Sequence, residues 1–278
     1  MLMRYLLLLI VLLQLTGCAG SLDRSEMWKE QSLGLASEIM QGVRFHHRIF
    51  YKADRVAANK CLRIYIEGDG TPWESRHRVA TDPSPQNAVL LNIMKHDTGA
   101  AVYLGRPCYF GLIAADQCKQ EDWTYGRFSS EIVESMLRAS RRLKQQYGAE
   151  KLAFIGHSGG GVLATLLVER LSDAQPLVTL AAPLDLEAWT QHHAYTPLYL
   201  SLNPADIMPS HHDIEQHWVG SEDDNVPPAT QRRYLQSRPW ARQVDVAGMQ
   251  HDLADRSTKE WSQKIDRYLA QNGCTSKP

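Results

Sequence analysis

From residue 42 onward, short apolar runs alternate with amphipathic stretches. Val43–Tyr51 reads as two short strands. Leu62–Ile66 predicts a strand that stops at Gly68, and Ala100–Leu104 one that stops at Gly105. Between Ser129 and Tyr147, the residues Ile132, Val133, Met136, Leu137, Leu143 and Tyr147 keep the spacing of one helical face, and Gly148 ends the run. Lys151–Ile155 predicts a strand, and Gly159–Leu171 a helix buried on all sides. Leu177–Ala181, His217–Gly220 and Gln243–Ala247 predict further strands, with a helix over 228–237 before the last of them. Trp261, Ile265, Tyr268 and Leu269 form one apolar stripe on a final helix. Strands that alternate with helices predict an α/β fold, a mostly parallel sheet with helices on both faces. Such sheets bind ligands beyond the carboxyl ends of their strands. The loops after Ile66, Leu104, Ile155, Ala181, Gly220 and Ala247 are therefore expected on one edge.

The first residues follow a different pattern. One positive charge, Arg4, precedes an apolar run from Tyr5 to Leu13 that is too short for a stable membrane span. This is the pattern of a secretory leader, with an uncleaved anchor as the alternative. Leu15-Thr16-Gly17-Cys18 resembles the lipobox of bacterial lipoproteins. The resemblance implies removal of residues 1–17 and acylation of Cys18, with several acyl chains on one residue holding a soluble domain to the membrane. It places the protein in the bacterial envelope, facing the periplasm. Ala19 after the cysteine, where an aspartate would mark inner-membrane retention, favours the outer membrane. Residues 18–37 are polar and without period, and read as a tether. Residues 38–278 read as a single domain, in which 184–213 form a lid or pocket wall.

The net charge of −1 argues against a nucleic-acid partner, and 44% hydrophobic residues suffice for a full core. Beyond Cys18 there are four cysteines, an even number that suits two disulfides in an oxidising compartment. Three pairings are possible. Cys108 and Cys118 are close together in a loop-like stretch and are paired here, which leaves Cys61 with Cys274. Zinc is the competing reading, but no C-x-x-C spacing supports it.

The densest signal is Gly156-His157-Ser158-Gly159-Gly160, set between a predicted strand and a predicted helix. A turn that sharp brings chain segments so close that the positions two before and two after the serine have no room for a Cβ. It holds the Ser158 hydroxyl out at a helix N-terminus, where the Gly159 amide can serve an oxyanion. No lysine follows the glycines, so a phosphate loop is disfavoured. The match to G-x-S-x-G in this setting resembles the nucleophile elbow of the α/β hydrolases. That resemblance implies Ser, then an acid, then His in chain order. His217 to Pro227 looks like the late strand and G-x-x-D-x-x-V-P loop of these enzymes, which assigns the acid to Asp223. Asp224 is the runner-up, and Glu222 falls off the motif. His251, 28 residues beyond Asp223 and directly after the last strand, becomes the base.

The second oxyanion amide of these enzymes comes from the loop after an early strand. Here that loop is Glu67-Gly68-Asp69-Gly70, with Glu-Gly where many relatives have His-Gly, and the donor is the amide of Asp69 or Gly70. A plain β-turn is the bland reading. An acidic side chain beside a developing anion is unfavourable, so Asp69 is expected to point away, toward Arg76, Arg78 or Arg106. His157 is expected to pack under the elbow. His192-His193 and His211-His212 read as loop residues that can line the pocket, and Trp189, Tyr195 and Tyr199 either face the substrate or pack the lid. No metal or organic cofactor is implied. The expected activity is hydrolysis of a small-molecule ester or thioester through an acyl-enzyme on Ser158. A periplasmic peptidase on the same fold, or a silent envelope binding protein, are the alternatives.

Overall fold

The computed structural model describes residues 24–52, 60–116, 118–209 and 214–275. The leader, Cys18 and the first part of the tether lie outside the described residues. The elements run α1 (Arg24–Gln31), β1 (Leu35–Gln41), β2 (His46–Lys52), β3 (Cys61–Ile66), β4 (Trp73–Ser75), β5 (Arg78–Val79), α2 (Val89–Met94) and β6 (Ala101–Leu104). They continue with α3 (Ser130–Tyr147), β7 (Lys151–His157), α4 (Gly159–Val168), β8 (Ala174–Leu180), α5 (Leu186–His192), β9 (Glu215–Gly220), α6 (Arg232–Gln236), β10 (Arg242–Val246) and α7 (Thr258–Gln271).

One eight-stranded sheet organises them, in the order β1-β2-β6-β3-β7-β8-β9-β10, and β4 pairs with β5 apart from it. The pairs β1–β2 and β2–β6 are antiparallel, and the rest of the large sheet is parallel. Alternate residues of a strand face opposite ways. Arg63 and Tyr65, on one face of β3, bond Asp97 just after α2, and Arg63 also reaches Asp266 on α7. Helices α3 and α4 pack against each other on the other face. Covered on both faces, β3 is buried along its whole length, and its two polar residues, Arg63 and Tyr65, are both satisfied by side-chain bonds.

Local chemistry accounts for the element ends. Ser129 caps α3 by accepting from the Ile132 amide, and Gly148 ends that helix in the left-handed region at φ 62°. Ser257 and Glu260 form a capping box on α7. All ten residues of α4 are buried, so it runs through the core behind the elbow.

The N-terminal boundary differs from the expectation. Residues 24–31, read as tether, form α1, and 35–41 form the edge strand β1. Trp28 anchors α1, with its ring edge-on to Phe50 at 6.1 Å and Phe110 at 6.2 Å and the Arg48 guanidinium 4.8 Å away. The domain therefore extends back to Arg24. One aromatic in eight residues gives no period to read, and in β1 only Met40 is buried. The 43–51 stretch holds one strand rather than two: 43–45 make the turn out of β1, and β2 from His46 onward pairs with both β1 and β6. Both cysteine pairs are joined, Cys61 to Cys274 with Cα atoms 5.4 Å apart and Cys108 to Cys118 at 5.9 Å.

Candidate active site

Between β7 and α4 the chain turns through Ser158, whose φ of 49° and ψ of −126° lie where L residues are seldom found. A methyl on Gly156 would come within 2.5 Å of the Gly160 carbonyl oxygen, and one on Gly160 within 2.1 Å of the Ile66 oxygen. These two glycines exist because the turn crosses its own helix and the end of β3. The strain is held by the Ser158 amide, which donates to the Leu180 carbonyl at 2.9 Å.

The loops after β9 and β10 bring two more groups to this point. His251 Nε2 lies 3.1 Å from Ser158 Oγ, and its Nδ1 lies 3.0 Å from Asp223 Oδ2. A carboxylate only accepts, so Nδ1 carries the proton and Nε2 accepts from the serine hydroxyl. The other Asp223 oxygen accepts from the amides of Asn225 at 2.9 Å and Val226 at 2.8 Å. Burial alone would push the Asp223 carboxyl up. The hydrogen bond and charge of His251, with these two amides, outweigh it and hold the group below the usual carboxylate range. Asp224 and Glu222 are exposed, and neither bonds His251 among the described residues.

The loop after β3 lies against the elbow. A methyl on Gly68 would come 3.2 Å from the Ser158 Cβ, which places the following Asp69 amide alongside Ser158. Gly70 turns away at φ +64°, where a methyl would meet the Pro83 carbonyl oxygen at 2.2 Å. The amides of Gly159, Asp69 and Gly70 have no acceptor among the described residues. The Asp69 carboxylate is held by Arg106 at 2.5 Å and Arg127 at 3.0 Å. Of the expected partners Arg106 is one, but the side chain does not point away as expected, because the two arginines hold its carboxylate over Gly159. Arg78 instead pairs with Glu74, and Arg127 was not foreseen. Tyr109, inside the loop stapled by Cys108 and Cys118, donates its hydroxyl to the Asp69 carbonyl at 2.8 Å.

The segment 184–209 forms a wall over this edge. Asp185 caps α5 and is gripped by Arg233 through both carboxylate oxygens, at 2.7 and 2.8 Å. Trp189 Nε1 and His193 Nε2 donate to the Asn225 carbonyl at 2.9 and 2.7 Å, which ties the wall to the loop that carries Asp223. Between wall and sheet edge is a cleft of about 1030 Å³ with Ser158 and His251 in its lining, together with Trp73, Tyr125, Arg127, Trp189, His193 and Tyr195. Tyr199 is exposed and stacks on Tyr125 with ring centroids 5.2 Å apart. His211 and His212 lie outside the described residues. Among the described residues the only cluster with metal-ligand spacing is Cys108, Cys118 and Asp122, and its two sulfurs are bonded to each other.

No family model matches this chain. No curated protein matches it in sequence. Solved structures do resemble it. The esterase domain of a Rhodothermus marinus protein shares 14% identity at a TM-score of 0.56, over 86% of this chain and 99% of that one. A Pyrococcus furiosus esterase shares 12% identity at a TM-score of 0.61, over 88% and 95%. A structure described as a membrane phospholipase A and bacterial virulence factor shares 13% identity at a TM-score of 0.61, over 96% and 98%. With its parallel sheet, its elbow and these likenesses, the chain has the fold of the α/β hydrolases.

Proposed function

We propose that the protein is a lipid-anchored serine hydrolase of the bacterial envelope that cleaves a carboxylic ester or thioester through an acyl-enzyme on Ser158. The observation that carries this reading is the unbroken line from Ser158 Oγ through the His251 ring to the buried Asp223 carboxylate. In the proposed reaction His251 Nε2 takes the serine proton as Oγ attacks the carbonyl carbon. Asp223 keeps Nδ1 protonated and stabilises the imidazolium that forms. The amides of Gly159 and Asp69 receive the oxyanion, a contribution worth about 10²–10³ in rate per donor. His251 then gives its proton to the leaving oxygen or sulfur, and water repeats the sequence on the acyl-enzyme. The esterases and the phospholipase A among the structural relatives support ester bonds as the target.

A fluorophosphonate probe is expected to label the native protein and not Ser158→Ala. Native protein that stays unlabelled overturns the nucleophile. Turnover of short p-nitrophenyl esters but not of aminoacyl amides is expected, and the reverse preference favours a peptidase. For the anchor, Cys18→Ser is expected to release the processed protein from membranes; a variant that remains bound after leader cleavage removes the lipid from the proposal.

A further inference from the structure

One buried pair beside the triad has no part in that reaction. Glu67 and His157 are 4% and 6% exposed and lie in the lining of the cleft. Glu67 Oε2 accepts from the Leu90 amide at 2.8 Å and so caps α2. Its Oε1 accepts from the Gly68 amide at 3.2 Å and lies 3.4 Å from His157 Nδ1. On the far side of the same ring, His157 Nε2 is 2.7 Å from the backbone carbonyl of His251.

One hydrogen bond and one ion-pair separation bear on the protons of this ring. A carbonyl oxygen accepts only, so Nε2 carries hydrogen. A buried carboxylate 3.4 Å from Nδ1 favours a proton there too, as an ion pair. A histidine protonated at both nitrogens is an imidazolium. Nδ1 makes no hydrogen bond among the described residues, so its link to Glu67 is an ion-pair separation of 3.4 Å and not a hydrogen bond. Burial pushes the His157 ring toward its neutral form, but the Glu67 carboxylate beside it overrides this and raises it.

We infer that Glu67 and a protonated His157 form a positioning pair, which fastens the oxyanion loop and the loop of the catalytic base to opposite sides of the nucleophile elbow. The inference rests on the triad reading above. Glu67 fixes the Gly68–Asp69 turn, and His157 fixes the main chain of His251. The three loops that must converge on one reacting carbon are thereby joined through two side chains from adjacent strands. The pair also sets a fixed cation beside the base, since the rings of His157 and His251 have centroids 5.3 Å apart. The other charges that bear on the two rings are Asp223, which acts on both, and Asp69, which acts on His251 and is itself paired with Arg106 and Arg127.

Two variants separate positioning from packing. Gln at 157 can still donate to the His251 carbonyl but carries no charge; Phe does neither. With a p-nitrophenyl ester, His157→Phe is expected to lower kcat more than tenfold with KM little changed, in keeping with the cost of slight misplacement. His157→Gln is expected to lose several-fold less. In His157→Gln the cation is gone and the Glu67 anion stays, so His251 takes up a proton more readily. The acid limb of kcat/KM is then expected to move to higher pH, which simple loss of packing would not cause. A Phe variant with native kcat, or a Gln variant with an unmoved acid limb, overturns the inference. Should the Phe variant not fold, the Gln variant decides alone. A readout independent of turnover is the ¹⁵N-histidine NMR spectrum of the native protein at pH 7, assigned by loss of its signal in His157→Gln. Two protonated ring nitrogens are expected, and a neutral ring overturns the inference. Ser158→Ala is run alongside: turnover that survives it refutes the triad, whereas a dead Ser158→Ala beside an unaffected His157 series refutes only the pair.

Discussion

The carboxylate of Asp69 lies directly over Gly159: a methyl built on Gly159 would sit 1.9 Å from Oδ1. A negative group is thus held against the residue whose amide is proposed to receive a developing anion. Two guanidinium groups compensate. Burial would raise the Asp69 carboxyl, but Arg127 and Arg106 outweigh it and keep the group ionised and fixed. Two arginines against one carboxylate leave this corner with excess positive charge, which is the sign an oxyanion needs.

Gly159→Ala is therefore expected to be a defect of activity. The added methyl must displace the Asp69 carboxylate or the elbow, and the carboxylate is pinned by both arginines. The loss expected in kcat/KM is about 10²-fold, comparable to loss of one oxyanion donor. Steady-state kinetics on a p-nitrophenyl ester, with thermal unfolding as the control, check it. Activity within twofold of native would mean that the Asp69 loop yields freely.

Asp223→Asn is expected to lower kcat by about 10⁴, because an amide nitrogen presented to Nδ1 stabilises the wrong tautomer of His251. Asp224→Asn should remain within about twofold of native, since the side chain is exposed and away from the ring. Comparison of the two purified variants on one substrate is sufficient. The opposite order would move the acid by one residue.

The site was more legible in the sequence than the edges of the fold. Glycines flanking Ser158 report a close approach of backbone, and that constraint depends only on neighbours along the chain and the end of one strand. The order Ser158, Asp223, His251 came from the resemblance to the α/β hydrolases, since the strands before the acid and the base, Glu215–Gly220 and Arg242–Val246, carry several polar residues and mark themselves weakly. Helix α1 was missed because one residue, Trp28, secures it. Helix α2 was missed because its cap comes from Glu67, 23 residues earlier, which no local pattern can reveal. Arg127 as a partner of Asp69 and Tyr109 as a prop for its carbonyl arise from loops that meet only in the folded chain. These are tertiary choices, and local periodicity carries no trace of them.

His47 makes stability depend on pH in a defined window. It is fully buried, with Nδ1 2.9 Å from the Gly105 carbonyl and Nε2 2.9 Å from Ser135 Oγ. Desolvation lowers its pKa from 6.5 to about 4. Above pH 6.5 the ring is neutral folded and unfolded, and no penalty arises. Between 6.5 and about 4 the unfolded chain takes up a proton that the folded chain refuses, so stability falls as pH falls. The full loss is about 3 kcal/mol, reached below the folded value. Urea midpoints at pH 7, 6, 5 and 4 are expected to drop more steeply for the native protein than for His47→Gln. Equal slopes would show that the buried ring is not the sensor.

The two disulfides are expected to serve different ends. Cys61–Cys274 closes a span of 213 residues and Cys108–Cys118 a span of 10. In the chain-entropy account these stabilise by about 5 and about 3 kcal/mol. The first ties the C-terminus to β3, and Arg63 beside it donates to the Cys274 carbonyl at 3.0 Å. No part of that corner lines the cleft. The second holds the loop from which Tyr109 supports the Asp69 carbonyl. The double variant Cys61→Ala/Cys274→Ala should therefore unfold at markedly lower denaturant while its kcat, measured well below the transition, stays near native. Cys108→Ala/Cys118→Ala should lose less stability and more activity, because the oxyanion loop loses its prop. Denaturant unfolding and ester kinetics on both variants test the split. If the long-span variant proved the more catalytically impaired, the stapled loop would have no special bearing on the site.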